Sequence, residues 1–457
     1  MARLDAGLRF GRVTRFSALI LGLYSFLVWL ASPLLRRKLR RRALAEPGYA
    51  VAVPERFGHY SQPPGQNFVW VHAVSLGETR AAAILLAALR RQLPGMRLLL
   101  THGTATGRTE GLALLQPGDV QIWQPWDSPG AVQRFVRHFQ PCIGILMETE
   151  IWPNLLAACK TAGIPVVLAN ARLSAKSLRQ AQQLLALSRP AYGALSAVWA
   201  QTEADAQRLA EAGAPKPTVL GNLKFDATPN PGQLALGRAW RGAGRPVVLL
   251  ASAREGEEFL LLQHLQSFKH LAHTAPAQAA TQLGAADVQW LIVPRHPQRF
   301  DAVAALVCAQ GLRLSRRSQW AAGPEPADVW LGDSLGEMAL YYGLADVALL
   351  GGSFAPLGGQ NLIEAAACGC PVVMGPSTFN FAEAADLAVA AGAACRVADM
   401  PAAIAQALAW LNAPGTLARA VTAGPKFASA HRGATLKTAL AIQVLLGESP
   451  SFKTHQP

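Results

Sequence analysis

The chain has 457 residues, of which 51% are apolar, and this length suffices for two or three domains with folded cores. Its formal net charge of +14 favours an anionic partner such as a membrane surface or a phosphorylated substrate; no nucleic-acid motif and no interleaved basic and aromatic stripe is present, so nucleic acid is not expected. The six cysteines form no CxxC pair and none lies at zinc-ligand spacing from a histidine, so the sequence predicts buried thiols in a reducing compartment rather than a zinc site.

The first predicted element is a membrane anchor, which together with its basic flank is assigned to residues 1–45. Residues 16–35 carry no charge and are rich in Leu, Phe, Trp and Ile, so this segment is long enough to span a bilayer. Five arginines and one lysine follow between Arg36 and Arg42, and this dense cluster favours a cytoplasmic location of the main body. A cleaved signal peptide and a helix that lies in the membrane interface are the alternatives.

Strand-like and helical patterns alternate over residues 46–228, which predicts a first domain with a parallel sheet covered by helices. Each strand-like run is short and apolar, as expected for a strand that is buried on both faces. The predicted strands are 68–74, 97–101, 142–147, 164–169 and 197–201, and the predicted helices are 79–93 and 152–162.

A second domain is predicted over residues 229–440. Residues 226–245 contain DATPNPGQ and are interpreted as the linker between the domains. The β–α pattern then restarts, with a helix at 255–265 and strands at 246–251, 288–293, 328–331, 347–350 and 371–374. Residues 270–286 are interpreted as a surface insertion, and residues 441–457 as a C-terminal tail that is expected to be disordered after Ser449. Two such domains in succession predict a ligand cleft at their junction.

Acidic residues follow two predicted strands of the first domain. HAVSLGE places Glu78 at the start of a helix, where the helix dipole is expected to keep its carboxylate ionised and available as a general base. METEIWPN places Glu148 and Glu150 two positions apart, where an extended segment would point them the same way. For both motifs the alternative is an acidic residue at a helix N-terminus that only favours the helix dipole.

Two other motifs follow strands of the same domain. NARLS, residues 170–174, has the polar groups expected of a substrate loop. GNLKFD places Lys224 just before the predicted linker, where an ammonium group can neutralise a phosphate or a carboxylate. A solvated surface lysine is the alternative interpretation of Lys224.

The second domain has Gly-rich turns suited to a nucleotide. Gly358 to Met374 reads GGQNLIEAAACGCPVVM, in which a helix that begins near Asn361 would offer free N–H groups to an anion. Glu364, on the first turns of this helix, is placed to accept hydrogen bonds from sugar hydroxyls. Ser252 and Arg254 lie at a strand–helix turn whose N–H groups and guanidinium can hold phosphate. Gly-rich turns also serve plain packing, which is the alternative.

Together these stretches resemble the Kdo transferases, the 3-deoxy-D-manno-octulosonic acid transferases of lipopolysaccharide assembly. The resemblance covers nearly the whole chain, and the order and number of its motifs make it highly specific. The matching stretches are HAVSLGET, METEIWPN, NARLSAKS, GNLKFD, REGEE, VPRHPQRF, GDSLGEM, YYGLADVALLGGSF and GGQNLIEAAACGCPVVMGPSTFNF.

The resemblance implies an α/β fold of GT-B type, with two Rossmann-like domains facing a cleft and an N-terminal membrane-anchor helix. It implies the transfer of Kdo from CMP-Kdo to a lipid A precursor, lipid IVA, on the cytoplasmic face of the inner membrane. The family inverts the anomeric centre and needs no metal or other cofactor. By the same resemblance Glu78 is the general base, and Glu148 and Lys224 stabilise the charged transition state.

The donor site implied by the resemblance lies in the second domain. The helix start at Asn361 would face the phosphate of CMP, and Glu364 would face the ribose. The sequence departs from the family pattern in the loop ASAREGEE and at Gln360, where a histidine is more common. The implied donor-site residues are Ser252, Arg254, Pro294, Arg295, Leu335, Gly336, Glu337, Asn361, Leu362, Ile363 and Glu364.

Two other functions are the alternatives to a transferase. The first is a GT-B-fold sugar-nucleotide 2-epimerase, for which a membrane anchor has no purpose because its substrate and product are soluble. The second is a catalytically inactive, membrane-anchored nucleotide-binding scaffold, against which the intact Glu78, Glu148 and Lys224 speak.

Overall fold

The computed structural model describes residues 2–274 and 283–448. Contacts divide the chain into two compact units: unit 1 comprises Met1–Asp226 and Arg432–Pro457, and unit 2 comprises Ala227–His431. Residues 275–282 of the predicted insertion and the predicted tail from Ser449 onwards lie outside the described residues.

Each unit contains a parallel sheet of seven strands among its described residues. The strands of unit 1 are β1 (Phe68–His72), β2 (Arg97–His102), β3 (Val120–Trp123), β4 (Pro141–Met147), β5 (Val166–Ala171), β6 (Ala197–Ala200) and β7 (Thr218–Val219). The strands of unit 2 are β8 (Val247–Ala253), β9 (Gln289–Pro294), β10 (Leu314–Arg316), β11 (Val329–Leu331), β12 (Val347–Leu350), β13 (Val372–Met374) and β14 (Ala394–Arg396). These two sheets confirm the predicted α/β fold class.

Helices cover both faces of the sheets, which is why strands such as β1 are buried at every position. The α-helices are α1 (Ala2–Ala45), α2 (Leu76–Gln92), α3 (Ala105–Leu112), α4 (Pro129–Phe139), α5 (Pro153–Thr161), α6 (Ala175–Gln183), α7 (Leu185–Tyr192), α8 (Glu203–Ala212), α9 (Pro231–Arg241), α10 (Glu257–Thr274), α11 (Phe300–Ala309), α12 (Met338–Leu344), α13 (Leu362–Ala367), α14 (Ala382–Ala390), α15 (Met400–Leu411), α16 (Pro414–Ala430) and α17 (Ala434–Glu448). In unit 1, α2 and α17 form one core with the sheet, and α4, α5, α6 and α8 form a second core with it.

The strand orders locate the ligand side of each sheet. They are β3-β2-β1-β4-β5-β6-β7 in unit 1 and β10-β11-β9-β8-β12-β13-β14 in unit 2. Both sheets share a switch in strand order at the centre, between β1 and β4 in unit 1 and between β8 and β12 in unit 2. At such a switch point the neighbouring connections leave in opposite directions and open a crevice at the carboxyl ends of the strands. The candidate ligand loops are therefore the ones that follow these four strands.

The segment 226–245, which was predicted as an interdomain linker, contains the packed helix α9. The linker prediction is therefore wrong for residues 231–241. Asn230 caps α9, because its Oδ1 accepts a hydrogen bond from the N–H of Gln233 at 3.1 Å. α9 packs closely on α12, and a Cβ added to Gly237 would lie 3.0 Å from the Cα of Gly343. The Pro, Asn and Gly residues that suggested a linker are therefore the N-terminus of a helix and a close helix–helix contact.

The C-terminal part of the chain returns to unit 1 as α17. Both oxygens of the Asp226 carboxylate accept backbone hydrogen bonds there, from the N–H groups of Gly433 and Thr435 at 2.6 Å each. The apolar side of α17 joins the core that contains α2. The units therefore differ from the predicted ranges 229–440 and 441–457, because α17 buries its apolar side chains on the first unit rather than the second.

The cysteines are free thiols, and four of the six are buried, in agreement with the prediction. The prediction is wrong for Cys308, which lies on α11 and is exposed, and for Cys395, which is half-buried. A cysteine on an amphipathic surface helix is small enough to occupy the solvent side at little cost, so residue type alone did not decide its burial.

Helix α1 has one face on unit 1 and one face exposed. Within it, Ala18–Ala45 is long and apolar enough to cross a membrane by length and composition, a test that a signal sequence near the N-terminus also passes. On the inner face, Tyr24 Oη donates to Asp127 Oδ2 at 3.0 Å, and Ser25 Oγ donates to Asn154 Oδ1 at 2.9 Å. The exposed face carries the large apolar side chains of Leu19, Leu23, Phe26, Leu27, Trp29, Leu30 and Leu34.

Candidate functional site

The loops that follow β1 and β4 lie next to each other at the switch point of the unit 1 sheet. The loop after β1 leads into α2, whose first turn carries Glu78, and the loop after β4 carries Glu148 and Glu150. Because both loops leave the carboxyl ends of adjacent parallel strands, the fold brings these three carboxyl groups into one region of unit 1.

Glu78 forms a reciprocal cap at the N-terminus of α2. The N–H of Glu78 donates to the Oγ of Ser75, the N-cap residue, at 3.4 Å. In return, Glu78 Oε2 accepts from the N–H of Val74 at 2.8 Å, and Glu78 Oε1 accepts from the hydroxyl of Ser75 at 2.9 Å. The carboxyl group thus caps its own helix, and these bonds fix its position.

Burial, together with the charges of Glu148 and Glu150, raises the pKa of Glu78 to about 7. The hydrogen bonds from Val74 and Ser75 act in the opposite direction and are outweighed. The helix dipole therefore does not hold the pKa of Glu78 at its ordinary value, as had been expected, because desolvation of the carboxylate dominates. A carboxyl group with a pKa near 7 is half-ionised at neutral pH and is well matched to proton transfer there.

Glu148 adopts a left-handed backbone conformation, with φ of 59°. Its Oε1 lies 3.1 Å from Lys224 Nζ and its Oε2 lies 2.8 Å from Arg172 Nε, whereas Glu150 Oε2 accepts from Trp152 Nε1 at 2.9 Å. The expectation that the two glutamates face the same way is wrong, because the chain turns at this position instead of continuing as a strand. Strained backbone of this kind persists only where the surrounding contacts fix it, and it is frequent at functional sites.

Lys224 reaches Glu148 from a short 3₁₀ helix, Leu223–Asp226, that follows β7. Asn170, near the end of β5, has φ of 52°, and its Oδ1 accepts from the N–H of Leu223 at 3.0 Å. The NARLS motif therefore supports the turn that carries Lys224, a role that the sequence did not reveal. The Lys224 side chain is 17% exposed and paired with a carboxylate, so its interpretation as a solvated surface lysine is wrong.

In unit 2 the loops at the switch point are joined by one buried carboxylate. Ser252, with φ of 55°, and Arg254 lie in the loop after β8, and Gly351–Phe354 follow β12. Glu257, at the start of α10, accepts from the N–H of Arg254 at 2.9 Å and from two N–H groups of the Gly351–Phe354 loop at 2.7 and 3.1 Å. Glu257 is 1% exposed. It was not selected from the sequence, although it lies in the REGEE motif at a first-turn position.

The loop after β9 lies beside this pair of loops in the sheet. Pro294, the last residue of β9, pairs with Ala253 of β8, and the N–H of Arg295 donates to the carbonyl of Ala253 at 2.9 Å. The guanidinium Nε of Arg295 donates to Oε1 of Gln360 at 3.1 Å. Gln360, which departs from the family pattern, thus orients a predicted donor-site arginine.

Three further predicted residues lie in the turn before α12. Leu335 is exposed, and Gly336 has φ of 77°, a conformation that favours glycine. The carboxylate of Glu337 accepts from Arg317 Nη2 at 2.8 Å and from the hydroxyl of Ser334 at 2.5 Å. Glu337 is thus held by two partners at the edge of the turn.

The run Asn361 to Glu364 forms the start of α13, a helix of six residues. Asn361 Oδ1 accepts from the N–H of Ile363 at 3.1 Å, so one N–H group of the predicted anion site already has a partner. The side chains of Leu362 and Ile363 are fully buried, whereas those of Asn361 and Glu364 are partly exposed. Within this run, a ligand has access to the two polar side chains.

Comparison with known proteins decides the family. Residues 52–227 match the family model described as 3-deoxy-D-manno-octulosonic-acid transferase (kdotransferase). The chain is 47% identical over 437 residues to the 3-deoxy-D-manno-octulosonic acid transferase of Bordetella pertussis, an alignment that covers 93% of this chain and 99% of that protein. The chain belongs to the Kdo transferase family. It is a glycosyltransferase of lipopolysaccharide biosynthesis, as the motifs predicted.

Solved structures agree with the fold of this Kdo transferase. The UDP-GlcNAc 2-epimerase of Neisseria meningitidis bound to UDP-GlcNAc is similar with a TM-score of 0.52 and 16% identity, covering 83% of this chain and 98% of that one. A glycosyltransferase of Rickettsia africae is similar with a TM-score of 0.53 and 14% identity, covering 83% of this chain and 98% of that one. At this level of identity both structures show the GT-B fold alone, so the epimerase alternative gains no functional support from them.

Proposed function

We propose that the enzyme transfers Kdo from CMP-Kdo to a lipid A precursor, lipid IVA, with inversion of the anomeric centre. The observation that carries this proposal is that unit 1 has two carboxyl groups in different environments. Glu78 is buried with a pKa of about 7, whereas Glu148 is ion-paired with Lys224 and Arg172. Two acidic groups whose environments differ in this way are suited to two separate roles in one reaction.

Glu78 is proposed as the general base. Its ionised carboxylate removes the proton of an acceptor hydroxyl, the freed oxygen bonds to the anomeric carbon of Kdo, and the bond from that carbon to the CMP phosphate breaks, with its electron pair leaving on CMP. A single displacement of this kind inverts the attacked carbon. Glu148 is a poor candidate for the base, because both of its oxygens already lie within 3.1 Å of a cation.

Lys224 is proposed to stabilise charge in the transition state. The carboxylate of Kdo and the departing phosphate are both anionic, and a fixed ammonium group lowers the energy of an arrangement in which negative charge grows. Glu148 holds Lys224 Nζ at 3.1 Å, so the position of this cation is set before substrate arrives. Preorganisation of this kind avoids a reorganisation cost during the reaction.

CMP-Kdo is proposed to bind unit 2 at the loops after β8, β9 and β12. Burial and the nearby charges of Arg254, Arg295 and Arg299 lower the pKa of His296, which indicates a positive potential suited to phosphate. Arg254 and Arg295 would neutralise the CMP phosphate, and Glu364 would accept from the ribose hydroxyls. The reaction in this form uses no metal or other cofactor.

The role of Glu257 in this donor site gives a direct test. In Glu257→Gln, an amide NH₂ group replaces one of the two oxygens that accept backbone N–H groups, so a donor would oppose a donor in the buried site. We expect the loops to lose their fixed geometry and CMP to bind about tenfold more weakly. Isothermal titration calorimetry with CMP measures this change.

Glu255→Gln is the matched control, because Glu255 lies in the same motif and its side chain is 85% exposed. This variant is expected to bind CMP as the wild-type enzyme does. Equal CMP affinities for Glu257→Gln and the wild-type enzyme, with both proteins folded by circular dichroism, would remove the Glu257 loops from the proposed donor site.

Helix α1 is proposed to hold the enzyme on inner-membrane lipids, with the catalytic units on the cytoplasmic side. Its exposed apolar face suits lipid contact, and the basic residues between Arg36 and Arg42 suit anionic headgroups. The hydrogen bonds of Tyr24 and Ser25 to unit 1 support a helix that lies along the protein at the membrane surface, since an isolated spanning helix would leave these contacts.

The decisive experiment is a transfer assay with purified full-length enzyme. The enzyme is incubated with CMP-Kdo and the tetra-acylated disaccharide precursor of lipid A, and the lipid product is weighed by mass spectrometry. A gain of one or more Kdo masses is the expected result. An unchanged lipid mass under conditions in which CMP still binds would contradict the proposed acceptor.

A further inference from the structure

Unit 1 has a cavity of about 430 Å³ between the C-terminal part of α1 and the loops after β1, β2, β3 and β4. We call it the basic pocket and define it by Lys38, Arg42, Arg56, His72 and Gln124, which all line it. The proposed general base Glu78 does not line this cavity, and neither do Glu148 and Lys224. The proposed chemistry therefore leaves the pocket without a role.

Three cations line the basic pocket. Lys38 and Arg42 extend from α1, and Arg56 lies in the short 3₁₀ helix Val53–Phe57. Arg56 is held in place, because its guanidinium stacks 3.9 Å from the centroid of the Trp123 ring and its Nη2 donates to the carbonyl of Gly103 at 3.2 Å. Among the described residues none of the three cations forms an ion pair with a carboxylate, so their charge is available to an anion. Three such cations are a typical site for phosphate.

The residues that line the pocket also include two with buried polar atoms that have no hydrogen-bond partner among the described residues. Gln124 is 4% exposed, and both its Oε1 and its Nε2 have no hydrogen-bond partner among the described residues. His72 is fully buried, and its Nε2 also has no partner there. Each orphaned polar atom of this kind destabilises a fold unless a bound molecule pairs with it. Three such atoms around one cavity indicate a ligand with several hydrogen-bonding groups.

The hydrogen-bonding character of His72 selects hydroxyl groups as partners. Burial lowers the pKa of His72 to about 3, so the ring is neutral, and its Nδ1 lies 2.9 Å from Oγ1 and 3.2 Å from the carbonyl of Thr101. Thr101 can pair with either tautomer, so Nε2 is a donor in one and an acceptor in the other. A hydroxyl both donates and accepts and therefore fits both forms. Glu150, whose carboxylate lies 3.9 Å from His72 Nε2, adds an acceptor for a hydroxyl.

The basic pocket lies next to both the helix α1 and the proposed general base Glu78. It begins at Leu35, where the apolar run of α1 ends and the basic residues start. It is also lined by Val74, whose N–H donates to Glu78 Oε2 at 2.8 Å. A lipid headgroup that enters from the membrane surface along α1 therefore arrives next to the proposed general base.

We propose that the basic pocket binds a phosphate group of the anionic glycolipid acceptor through Lys38, Arg42 and Arg56, and binds hydroxyls of the adjoining sugar through Gln124 and His72. This inference rests on the proposed function, because the ligand is the acceptor of that reaction. It assigns the acceptor's phosphate to a site made jointly by the anchor helix and unit 1. The anchor is thus part of the substrate site as well as a membrane attachment.

The test compares two double variants of equal charge on the same helix. Lys38→Ala with Arg42→Ala removes two cations of the pocket, whereas Arg40→Ala with Arg41→Ala removes two exposed cations that do not line it. With the phosphorylated lipid A precursor in mixed micelles, we expect the pocket variant to raise the KM for the acceptor about tenfold or more, with kcat and the KM for CMP-Kdo within twofold of wild type. The control variant removes the same amount of charge from the same helix, so any loss that comes from weaker attraction to anionic headgroups should appear in both variants, and the pocket variant should raise the acceptor KM further than the control variant does.

A phosphatase-treated acceptor separates the phosphate from the rest of the lipid. The wild-type enzyme should use the phosphorylated lipid with a lower KM than the dephosphorylated lipid, and the pocket variant should lose this preference. Gln124→Leu, which removes the orphaned amide without changing charge, should raise the acceptor KM while leaving the melting temperature equal or higher. An equal rise of the acceptor KM in both double variants, or a preference that survives in the pocket variant, would overturn the proposal.

Two controls distinguish other sources of phosphate. Phosphatidylglycerol vesicles should bind both double variants to the same extent, and a loss specific to the pocket variant would show that the pocket holds bilayer phospholipid instead. Inorganic phosphate should compete with the acceptor in the wild-type enzyme and not in the pocket variant. If the wild-type enzyme transfers no Kdo, the proposed function fails, and equilibrium binding of the phosphorylated lipid to the two double variants still decides the pocket: equal binding overturns it.

Discussion

Replacing Glu78 by glutamine is expected to lower kcat for Kdo transfer by about 10² to 10⁴-fold, the range by which a positioned general base accelerates a reaction. Glutamine keeps the size of the side chain, and its carbonyl can still accept from the N–H of Val74, which Glu78 Oε2 binds at 2.8 Å. The N-terminus of α2 should therefore remain capped while the base is lost. CMP affinity should stay within twofold of wild type, because Glu78 belongs to unit 1 and the proposed CMP loops belong to unit 2.

Glu203→Gln is the control for this substitution, because Glu203 is also a first-turn glutamate of a unit 1 helix but is exposed. It should leave kcat unchanged. In the wild-type enzyme, kcat should rise with pH up to about 7, where Glu78 becomes ionised, and level off above it. A Glu78→Gln enzyme with full activity, or a pH profile that is flat between pH 5 and 8, would show that Glu78 is not the base.

The same substitution has a predictable effect on stability. The pKa of Glu78 is raised from its ordinary value of 4.5 to about 7 in the fold, so the folded protein binds this proton more tightly than the unfolded chain. The wild-type fold therefore loses stability as pH rises from about 4.5 to about 7. Glutamine does not ionise, so the melting temperature of Glu78→Gln relative to wild type should be higher at pH 8 than at pH 5. Calorimetry at the two pH values measures this difference, and equal differences would contradict the raised pKa.

Replacing Lys224 by alanine is the second substitution that is expected to change kcat strongly. We expect kcat to fall by about 10² to 10³-fold, the loss found when one preorganised charge-stabilising group is removed from an active site. The fold should persist, because Glu148 keeps Arg172 at 2.8 Å and does not become an unpaired buried charge. Steady-state kinetics with both substrates and a thermal melt measure the two expectations.

Lys160→Ala provides the matched control, since Lys160 is an exposed lysine of α5 in the same unit. Its kcat should equal that of the wild-type enzyme. If Lys224→Ala lowered only the melting temperature and left kcat unchanged, the Glu148–Lys224 pair would be structural, and transition-state stabilisation would have to come from another cation.

Local pattern predicted much of the fold. Strand β12 was predicted with its observed bounds, because VALL is a continuous apolar run between a turn and a Gly-rich loop. Helix α9 was missed because Pro and Asn at its start look like loop residues, and the packing of Gly237 on α12 is a contact between distant parts of the chain. Strand β3 was missed for a similar reason: its Gln121 is polar but buried, and it donates to the carbonyl of Arg108 at 2.8 Å.

For the candidate site, too, sequence patterns predicted some features and missed others. Glu78 and Glu148 were predicted as site residues because they follow predicted strands, and the carboxyl ends of parallel strands are the ligand side of such sheets. The left-handed conformation of Glu148, which gives it partners different from those of Glu150, was not predictable, since a left-handed φ at a glutamate depends on the contacts around it. Nor did the sequence indicate Gln124, whose importance comes from being buried without a partner in a cavity lined by α1. Such properties arise only when distant segments meet.

The contacts of α1 bear on how this enzyme is prepared for study. Deleting the first 45 residues is an obvious way to avoid detergent, yet the deletion would also remove Lys38 and Arg42 and leave Asp127 without the hydroxyl of Tyr24. A truncated enzyme would therefore differ from the full-length protein in two ways at once, in the proposed membrane association and in the lining of the proposed acceptor pocket. Acceptor analogues designed or screened against such a truncated form would be selected on a proposed acceptor pocket that lacks two of its three cations.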